Sequence, residues 1–305
     1  MTIDVILNQG SGTLDKLAIA ETITKRLDEL GAEARVRIIH SGRELLDARK
    51  RAISSDAPVV VAGGGDGTVA TIAEGLVGSG KSLGVLPLGT FNYFAKTLGI
   101  PAELEEALAV IARGRVTSVD VGDVNGNIFL NNSSIGLYPA VLHQRELTYR
   151  RFGRSQFLAY LSVPLTLVQP ARLVNLTITA DGRPLSRRTP LLFIGANALQ
   201  MESLGIVGGS CIADHRFALY VTRPMGAMKM AALGLRLLLK RLRRSEDFEV
   251  ICAGEVLIGL RRRRVHVALD GEVRVLETPL RYQLRREALR VIVPAEDAAG
   301  KRLVE

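Results

Sequence analysis

Hydrophobic and polar positions follow two different rhythms along the chain. Short β-branched runs at residues 5–7, 36–39, 59–61 and 83–86 read as strands, and between them the apolar positions of 14–30, 43–53 and 68–77 recur at helical spacing. A βαβα series predicts a parallel sheet with helices on both faces, hence a three-layer α/β domain. After Arg115 the runs shorten and turn dipeptides take over. Asn125-Gly126, Asp181-Gly182 and Asp270-Gly271 each lie between β-rich runs, the strongest short hairpin signal. A mainly antiparallel second domain is expected, with helical insertions near 156–168 and 225–244.

Composition narrows the class. A chain of 305 residues exceeds the usual span of one core, so two domains are expected. With 47% hydrophobic and 23% charged residues, a disordered chain is excluded. The two cysteines, Cys211 and Cys252, are too few for a disulfide framework and not clustered as zinc ligands are. They are expected to be reduced and packed, in a reducing compartment. No basic segment followed by an apolar stretch opens the chain. The longest apolar segment, 225–239, is interrupted by Lys229 and Arg236 and falls short of the ~20 residues a bilayer demands, so a soluble protein is expected.

The net charge of +9 is concentrated at Arg150-Arg151, 240–244 and 261–264 and favours anionic partners. Any one cluster reads more readily as a solvated face. No nucleic-acid partner is expected, because the clusters lack interleaved aromatics.

The most informative stretch is 59–68, where an apolar strand runs through Gly63-Gly64-Gly65-Asp66-Gly67-Thr68 into a helix. Consecutive glycines let a phosphate approach the backbone, and a helix N-terminus offers it unpaired N–H groups. The competing reading is a tight strand-to-helix turn. Two familiar nucleotide patterns fail on context. Residues 65–70 fit the dinucleotide pattern, but no acidic residue follows about 20 positions on. Residues 75–82 match the Walker A pattern, yet a helix precedes them and a strand follows, the inverse of a phosphate loop. Lys81 is therefore expected to be solvated. The loop 87–95 again leaves a strand and enters a helix, with Thr90 a suitable N-cap, and 8–12 follows the first strand. Three such loops on one edge would surround a ligand where parallel sheets bind one.

The segments Gly64-Gly65-Asp66-Gly67-Thr68, Pro87-Leu88-Gly89-Thr90-Phe91-Asn92-Tyr93-Phe94-Ala95 and Leu269-Asp270-Gly271-Glu272, with Thr278-Pro279-Leu280, resemble the diacylglycerol kinase catalytic-domain family. That family is similar to sphingosine and ceramide kinases, with NAD kinases more distant. The resemblance implies an α/β nucleotide-binding domain over 1–117, with a C-terminal return over 281–305, and a β-sandwich substrate domain over 118–280. It implies ATP as co-substrate, held by Asn8, Gln9, Gly10, Ser11 and Gly12, by Gly64, Gly65, Asp66, Gly67, Thr68, Val69 and Ala70, and by Thr90 and Asn92. Ser41 stands where the family often has a nucleotide-contacting Thr. Gln9 replaces a usual Pro, a change expected to loosen that loop. The family's Asp-Asp-Gly stretch, which helps hold a structural Mg2+, is reduced here to Ala213-Asp214-His215, so one acid and the glycine are missing.

The reaction so implied is transfer of the ATP γ-phosphate to a lipid hydroxyl. Asp66 would meet the catalytic Mg2+ directly or through water, and Asp270 or Glu272 would take the hydroxyl proton. At Asp270 the competing reading is a hairpin turn, which Asn would serve equally well. The implied partner is a lipid at an anionic membrane surface, from the cytoplasm and peripheral to the inner face. Residues 225–244 form an amphipathic candidate for that contact. A second copy of the chain, as a homodimer, is a further candidate partner. An NAD kinase-like enzyme and a non-catalytic nucleotide or lipid binder are the alternatives.

Overall fold

The structure, a computed structural model, describes residues 1–10, 16–137, 173–203, 208–226 and 248–295, with positions 139, 142, 205, 206, 228, 229, 232 and 233. The insertion expected at 156–168, most of that at 225–244, and the basic clusters at 150–151 and 240–244 lie outside the described residues. The chain divides into two compact units, Met1–Val121 with Arg285–Glu305, and Gly122–Leu284.

In the first unit, strands β1 (Thr2–Asn8), β2 (Glu33–Ile39), β3 (Val59–Gly64) and β4 (Ser82–Pro87) alternate with helices α1 (Lys16–Glu29), α2 (Gly42–Ser54) and α3 (Asp66–Leu76). Two further helices follow, α4 (Tyr93–Thr97) and α5 (Leu104–Arg113), and then strand β5 (Arg115–Val124). The sheet order is β2-β1-β3-β4, continued by the end of the last strand, β16 (Leu280–Val293), and every pairing is parallel. Right-handed crossovers in this order put the helices on both faces, with α1 packed on α5 and α2 on α3. All six residues of β3 and of β4 are consequently buried, which is why these strands read as unbroken apolar runs.

The Walker-like stretch is a helix-to-strand turn, and its glycines and its lysine serve the fold. A Cβ on Gly75 would lie 2.5 Å from the Ile53 side chain, so its absence lets α2 lie on α3. Gly78 and Gly80 both take φ +77°, a left-handed conformation that favours glycine. Lys81 is not solvated as expected. Its ammonium donates to the Ser55 carbonyl at 2.7 Å and the Ala57 carbonyl at 2.6 Å. A cation just past the C-terminus of α2 satisfies carbonyls the helix leaves unpaired.

The second unit is built from strands β6 (Asn127–Phe129), β7 (Asn132–Gly136), β8 (Val174–Ala180), β9 (Arg183–Thr189) and β10 (Leu191–Gly195), then β11 (Phe217–Thr222), β12 (Phe248–Ala253), β13 (Glu255–Gly259), β14 (Arg264–Leu269) and β15 (Glu272–Glu277). Two short helices, α6 (Ala198–Ser203) and α7 (Gly209–Ala213), lie between β10 and β11. One sheet runs β12-β11-β10-β7-β14-β15, antiparallel throughout. The start of β16 pairs with β13, β13 with β8 and β8 with β9. Inward residues of both sheets share one core, a β-sandwich, in which Phe129, Phe217 and Tyr282 pack with ring centroids 5.9 to 6.3 Å apart. The three turn dipeptides do close hairpins. Both central residues have positive φ in each, 50° and 83° at Asn125-Gly126, 46° and 80° at Asp181-Gly182, 47° and 89° at Asp270-Gly271. That backbone matches the twist of the flanking strands.

The cysteines correct an expectation. Cys211 in α7 and Cys252 in the edge strand β12 form a disulfide, their Cα atoms 5.4 Å apart. They are 41 residues apart in sequence, and only the return of the chain along β11 and β12 brings them together. The step from reduced thiols to a reducing compartment therefore falls. Among the described residues no helix is long and apolar enough to cross a membrane.

Candidate functional site

Parallel strands end together on one edge of their sheet, so the loops that leave them share a neighbourhood. In the first unit four such loops are fastened to one another. The Asn8 amide donates to the Thr68 hydroxyl at 2.8 Å, while its oxygen accepts the Gly10 N–H at 3.0 Å. Gln9 donates its backbone N–H to the Ile39 carbonyl at 2.9 Å, joining the β1 and β2 ends. A proline there has no N–H, so Gln9 tightens this loop, contrary to expectation. Leu88 N–H bonds the Gly64 carbonyl at 3.1 Å, joining the β3 and β4 ends. Ser11 and Gly12 lie outside the described residues.

The glycines of these loops divide by cause. A Cβ on Gly64 would stand 2.7 Å from the Thr68 hydroxyl, and one on Gly89 would stand 2.4 Å from the Cα of Gly65. Gly64 is bare because the Thr68 side chain folds over it, and Gly89 because the β3 and β4 loops press together. Gly65 differs: its own Cβ would meet nothing nearer than 3.5 Å, an ordinary contact, and its φ of −88° suits any residue. It is the N-cap of α3, and no side chain caps that helix end. An open backbone before an uncapped helix N-terminus is a place where an anion can approach. Val69 and Ala70 continue the first turns of α3, with Val69 N–H bonded to the Gly65 carbonyl at 3.1 Å.

Asp66, Asn92 and Ser41 also hold structure. Asp66 Oδ1 accepts the Phe94 N–H at 3.2 Å, so a carboxylate of α3 stabilises the first turn of α4. The N-cap of α4 is Asn92, in the left-handed region at φ 51°, and not Thr90, which is exposed in the preceding turn. The Asn92 side chain reaches back instead, accepting from Gly89 N–H at 3.0 Å and donating to the Pro87 and Gly89 carbonyls at 2.9 Å. Ser41 caps α2 with Glu44 in a reciprocal box: its Oγ accepts the Glu44 N–H at 3.2 Å, and Glu44 accepts the His40 N–H at 3.0 Å. The His40 N–H and the Ser41 hydroxyl hold the Glu44 carboxyl below its ordinary value.

The second unit places Asp270 at the first central position of the β14–β15 turn, where its carboxylate accepts three backbone N–H groups. Oδ2 accepts Leu130 at 2.7 Å, and Oδ1 accepts Asn131 at 2.7 Å and Asn132 at 3.0 Å. Asn would not serve equally, since an amide NH2 must face at least one N–H donor. Glu272 opens β15 and is exposed. Sequence reading missed the polar group beside this turn. Asn131 Oδ1 accepts from the Asn197 amide at 2.8 Å, and the Asn132 amide donates to Gln200 at 2.8 Å. Ser133 meets the Tyr282 hydroxyl at 2.9 Å, and burial pushes that hydroxyl's pKa well up. The legible signal was an Asn-Asn-Ser-Ser run, 131–134, beside apolar neighbours.

Asp214 is exposed at the C-cap of α7, and among the described residues no three His, Cys, Asp or Glu side chains group as metal ligands. The structural Mg2+ does not fit these residues. Asp66, an oxygen donor beside the uncapped end of α3, fits a metal held mainly by phosphates.

Comparison with known proteins follows the same lines. Residues 2–124 match the family model of the diacylglycerol kinase catalytic domain. A diacylglycerol kinase of Staphylococcus aureus is 30% identical over 221 residues, 71% of this chain and 69% of that one. A Staphylococcus carnosus diacylglycerol kinase is 25% identical over 72% of each chain. A Pseudomonas aeruginosa protein named "Probable lipid kinase YegS-like" is 41% identical over 110 residues, spanning about a third of each chain, 35% and 36%. A solved diacylglycerol kinase structure from Bacillus anthracis superposes with a TM-score of 0.67 at 21% identity, covering 96% of both chains. The shared architecture is the NAD kinase and diacylglycerol kinase-like fold.

Proposed function

Since the chain belongs to the diacylglycerol kinase family, a family of kinase enzymes, we propose that it transfers the γ-phosphate of ATP to the hydroxyl of a lipid. The observation that carries this reading is the fastened loop edge of the first unit. There Gly65 is the glycine whose bareness the packing does not require, and it precedes a helix end that no side chain caps. Phosphoryl transfer asks the protein mainly for positioning and charge neutralisation. Backbone N–H groups at the start of α3 hold phosphate oxygens. Asn8 and Thr68, bonded to each other, set the distance between the first and third loops.

Mg2+, when bound, would supply charge neutralisation on the phosphates, and Asp66 at the start of α3 would hold it. The hydroxyl proton goes to a carboxylate of the β14–β15 turn. Asp270 is rigidly oriented by its three N–H donors, and Glu272 is the exposed alternative two residues on. The acceptor is a lipid hydroxyl, diacylglycerol being the first candidate by family, reached at a membrane surface by a protein of net charge +9.

The test is labelled ATP with purified protein, Mg2+, and vesicles carrying diacylglycerol, a sphingoid base, ceramide or an isoprenoid alcohol, with NAD in a parallel reaction. Label should enter one lipid and require both ATP and Mg2+. Label entering NAD alone, or no label in any acceptor despite ATP binding, would sink the reading.

A further inference from the structure

The outward face of β8 and β9 carries a groove of about 620 Å³, lined by none of the residues given a part above. Its floor follows from strand alternation. Leu176 and Ile178 point into the sandwich core, so Asn175 and Thr177 face outward and are exposed. Thr177 stands opposite Ser186 on one side and Gly259 on the other, and Asn175 stands opposite Arg188. Gly259 ends β13 without a side chain, which leaves the floor low there, and Arg261 stands just beyond it.

The lining has one electrostatic sign. No Asp or Glu lines the groove, and neither Arg188 nor Arg261 has an acidic partner among the described residues, although both are exposed. Arg187 differs, because Glu249 holds it in a two-pronged pair at 2.8 and 2.9 Å. Its charge is thereby cancelled, and standing opposite the core residue Leu176 it points to the other side of the sheet. Two guanidiniums without an acidic partner among the described residues, over a floor that sets the Asn175 amide and the Thr177 and Ser186 hydroxyls beside Leu260, offer charge and N–H, O–H donors to oxygen anions. Among the described residues no aromatic ring lines the groove, so they offer none of the stacking that single-stranded nucleic acid uses. Arg262, Arg263 and Arg264 follow Arg261 along the chain, all exposed, and extend the positive strip, with Glu277 offsetting the last two.

We propose that this groove seats the phosphate headgroup of an anionic phospholipid and so docks this sheet face on an acidic membrane. The occupant is argued from charge complementarity. It also rests on the lipid-kinase reading, which supplies a membrane as the surface the protein visits. A headgroup phosphate held between Arg188 and Arg261 would place its glycerol oxygens over Thr177 and Ser186, while the strip from Arg262 onward meets neighbouring headgroups. Binding here anchors the protein and takes no part in phosphoryl transfer.

The test is co-sedimentation with phosphatidylglycerol vesicles and with phosphatidylcholine vesicles, at fixed salt, without ATP. Two variants remove the groove in different ways. Arg188→Gln with Arg261→Gln deletes the charge. Gly259→Val fills the floor, and it is expected to fold because a Cβ there meets only Thr177, at 3.6 Å. Wild type should bind phosphatidylglycerol vesicles and not phosphatidylcholine. The double variant should bind roughly thirtyfold more weakly, since each lost surface charge lowers membrane affinity about five- to sixfold. Gly259→Val should weaken binding too, with unchanged melting temperature in both variants. Turnover of a short-chain lipid dissolved in neutral detergent should be that of wild type. Equal vesicle binding by all three proteins would overturn the proposal. So would protection of the groove by inorganic phosphate with no difference between vesicle types, which would make it a site for a free anion. Because binding is read without ATP, failure of the kinase reading leaves this outcome separately legible.

Discussion

Gly89 stands against Gly65 so closely that a single added carbon on Gly89 would lie 2.4 Å from the Gly65 Cα, while one on Gly65 would meet Gly89 at a comfortable 3.5 Å. The contact is unequal because the two Cα–H directions differ, and the inequality separates structure from ligand binding. Gly89→Ala should destabilise the first unit by about 1–3 kcal/mol, the usual range for forcing extra atoms into a packed place. Gly65→Ala should leave the melting temperature within a degree or two and weaken ATP binding at least tenfold, since its methyl group enters the space a phosphate needs. Thermal melts and nucleotide titration of both variants decide it. Undiminished ATP affinity in Gly65→Ala would remove that glycine from the phosphate site.

Lys81 belongs to the frame. Lys81→Ala leaves the carbonyls of Ser55 and Ala57 without their ammonium donor, so stability should fall by about 1–2 kcal/mol while ATP affinity holds. Denaturant titration beside nucleotide binding checks both halves. A hundredfold loss of affinity at unchanged stability would mean that the Walker-like stretch binds phosphate after all.

At Asp270 the two candidate roles part on different measurements. Asp270→Asn turns an NH2 toward a backbone N–H of residues 130–132, and should cost about 1–3 kcal/mol of stability as a buried donor loses its acceptor. Turnover corrected for folded fraction should drop about 10²–10⁴-fold if Asp270 takes the proton. Glu272→Gln, at an exposed strand position, should leave stability unchanged. If Glu272→Gln carries the rate loss and corrected Asp270→Asn turnover stays near wild type, Glu272 is the proton acceptor.

Stability should be level near neutral pH and fall at both ends. On the acid side, the Arg187 hydrogen bond depresses the Glu249 carboxyl, and at Asp181 burial raises the value but the Glu255 N–H and Arg216 outweigh it. Lowered folded-state values add stability that is fully present above the unfolded values of about 4 and is lost as pH falls through the folded ones. On the alkaline side burial raises the Tyr220 hydroxyl to about 12. A raised value adds stability that is present below the unfolded value of about 10 and is lost as pH rises toward 12. Melting temperature measured from pH 3 to 11 should therefore fall below about pH 4 and above about pH 10. The Tyr220 hydroxyl is buried without a partner among the described residues, so Tyr220→Phe should match or exceed wild-type stability at pH 7.5 and lose less at pH 10.5. A loss above about 1 kcal/mol at pH 7.5 would show that the hydroxyl is satisfied.

What the residues determine locally was legible from the chain alone. The period of apolar positions marks β1 to β4 and α1 to α3, because a strand buried on both faces must be apolar throughout and a helix only on one side. The Asx-Gly pairs mark the three hairpins, because few residues accept positive φ twice in succession. The glycine loop marks a strand-to-helix turn, from β3 into α3. What the tertiary structure decided is which of several local offers each residue takes up, since that depends on neighbours distant in sequence. Gly75, Gly65 and Gly89 look alike as letters, yet α2 claims the first, the Gly65 backbone claims the last, and a Cβ on Gly65 itself would meet nothing nearer than 3.5 Å. Lys81 meets carbonyls 24 and 26 residues away instead of water, Asp270 meets N–H groups about 140 residues away, and Cys211 finds Cys252 across β11. Such pairings rest on where packed strands return, and hydrogen-bonding or sulfur chemistry follows from proximity that no spacing rule along the chain contains.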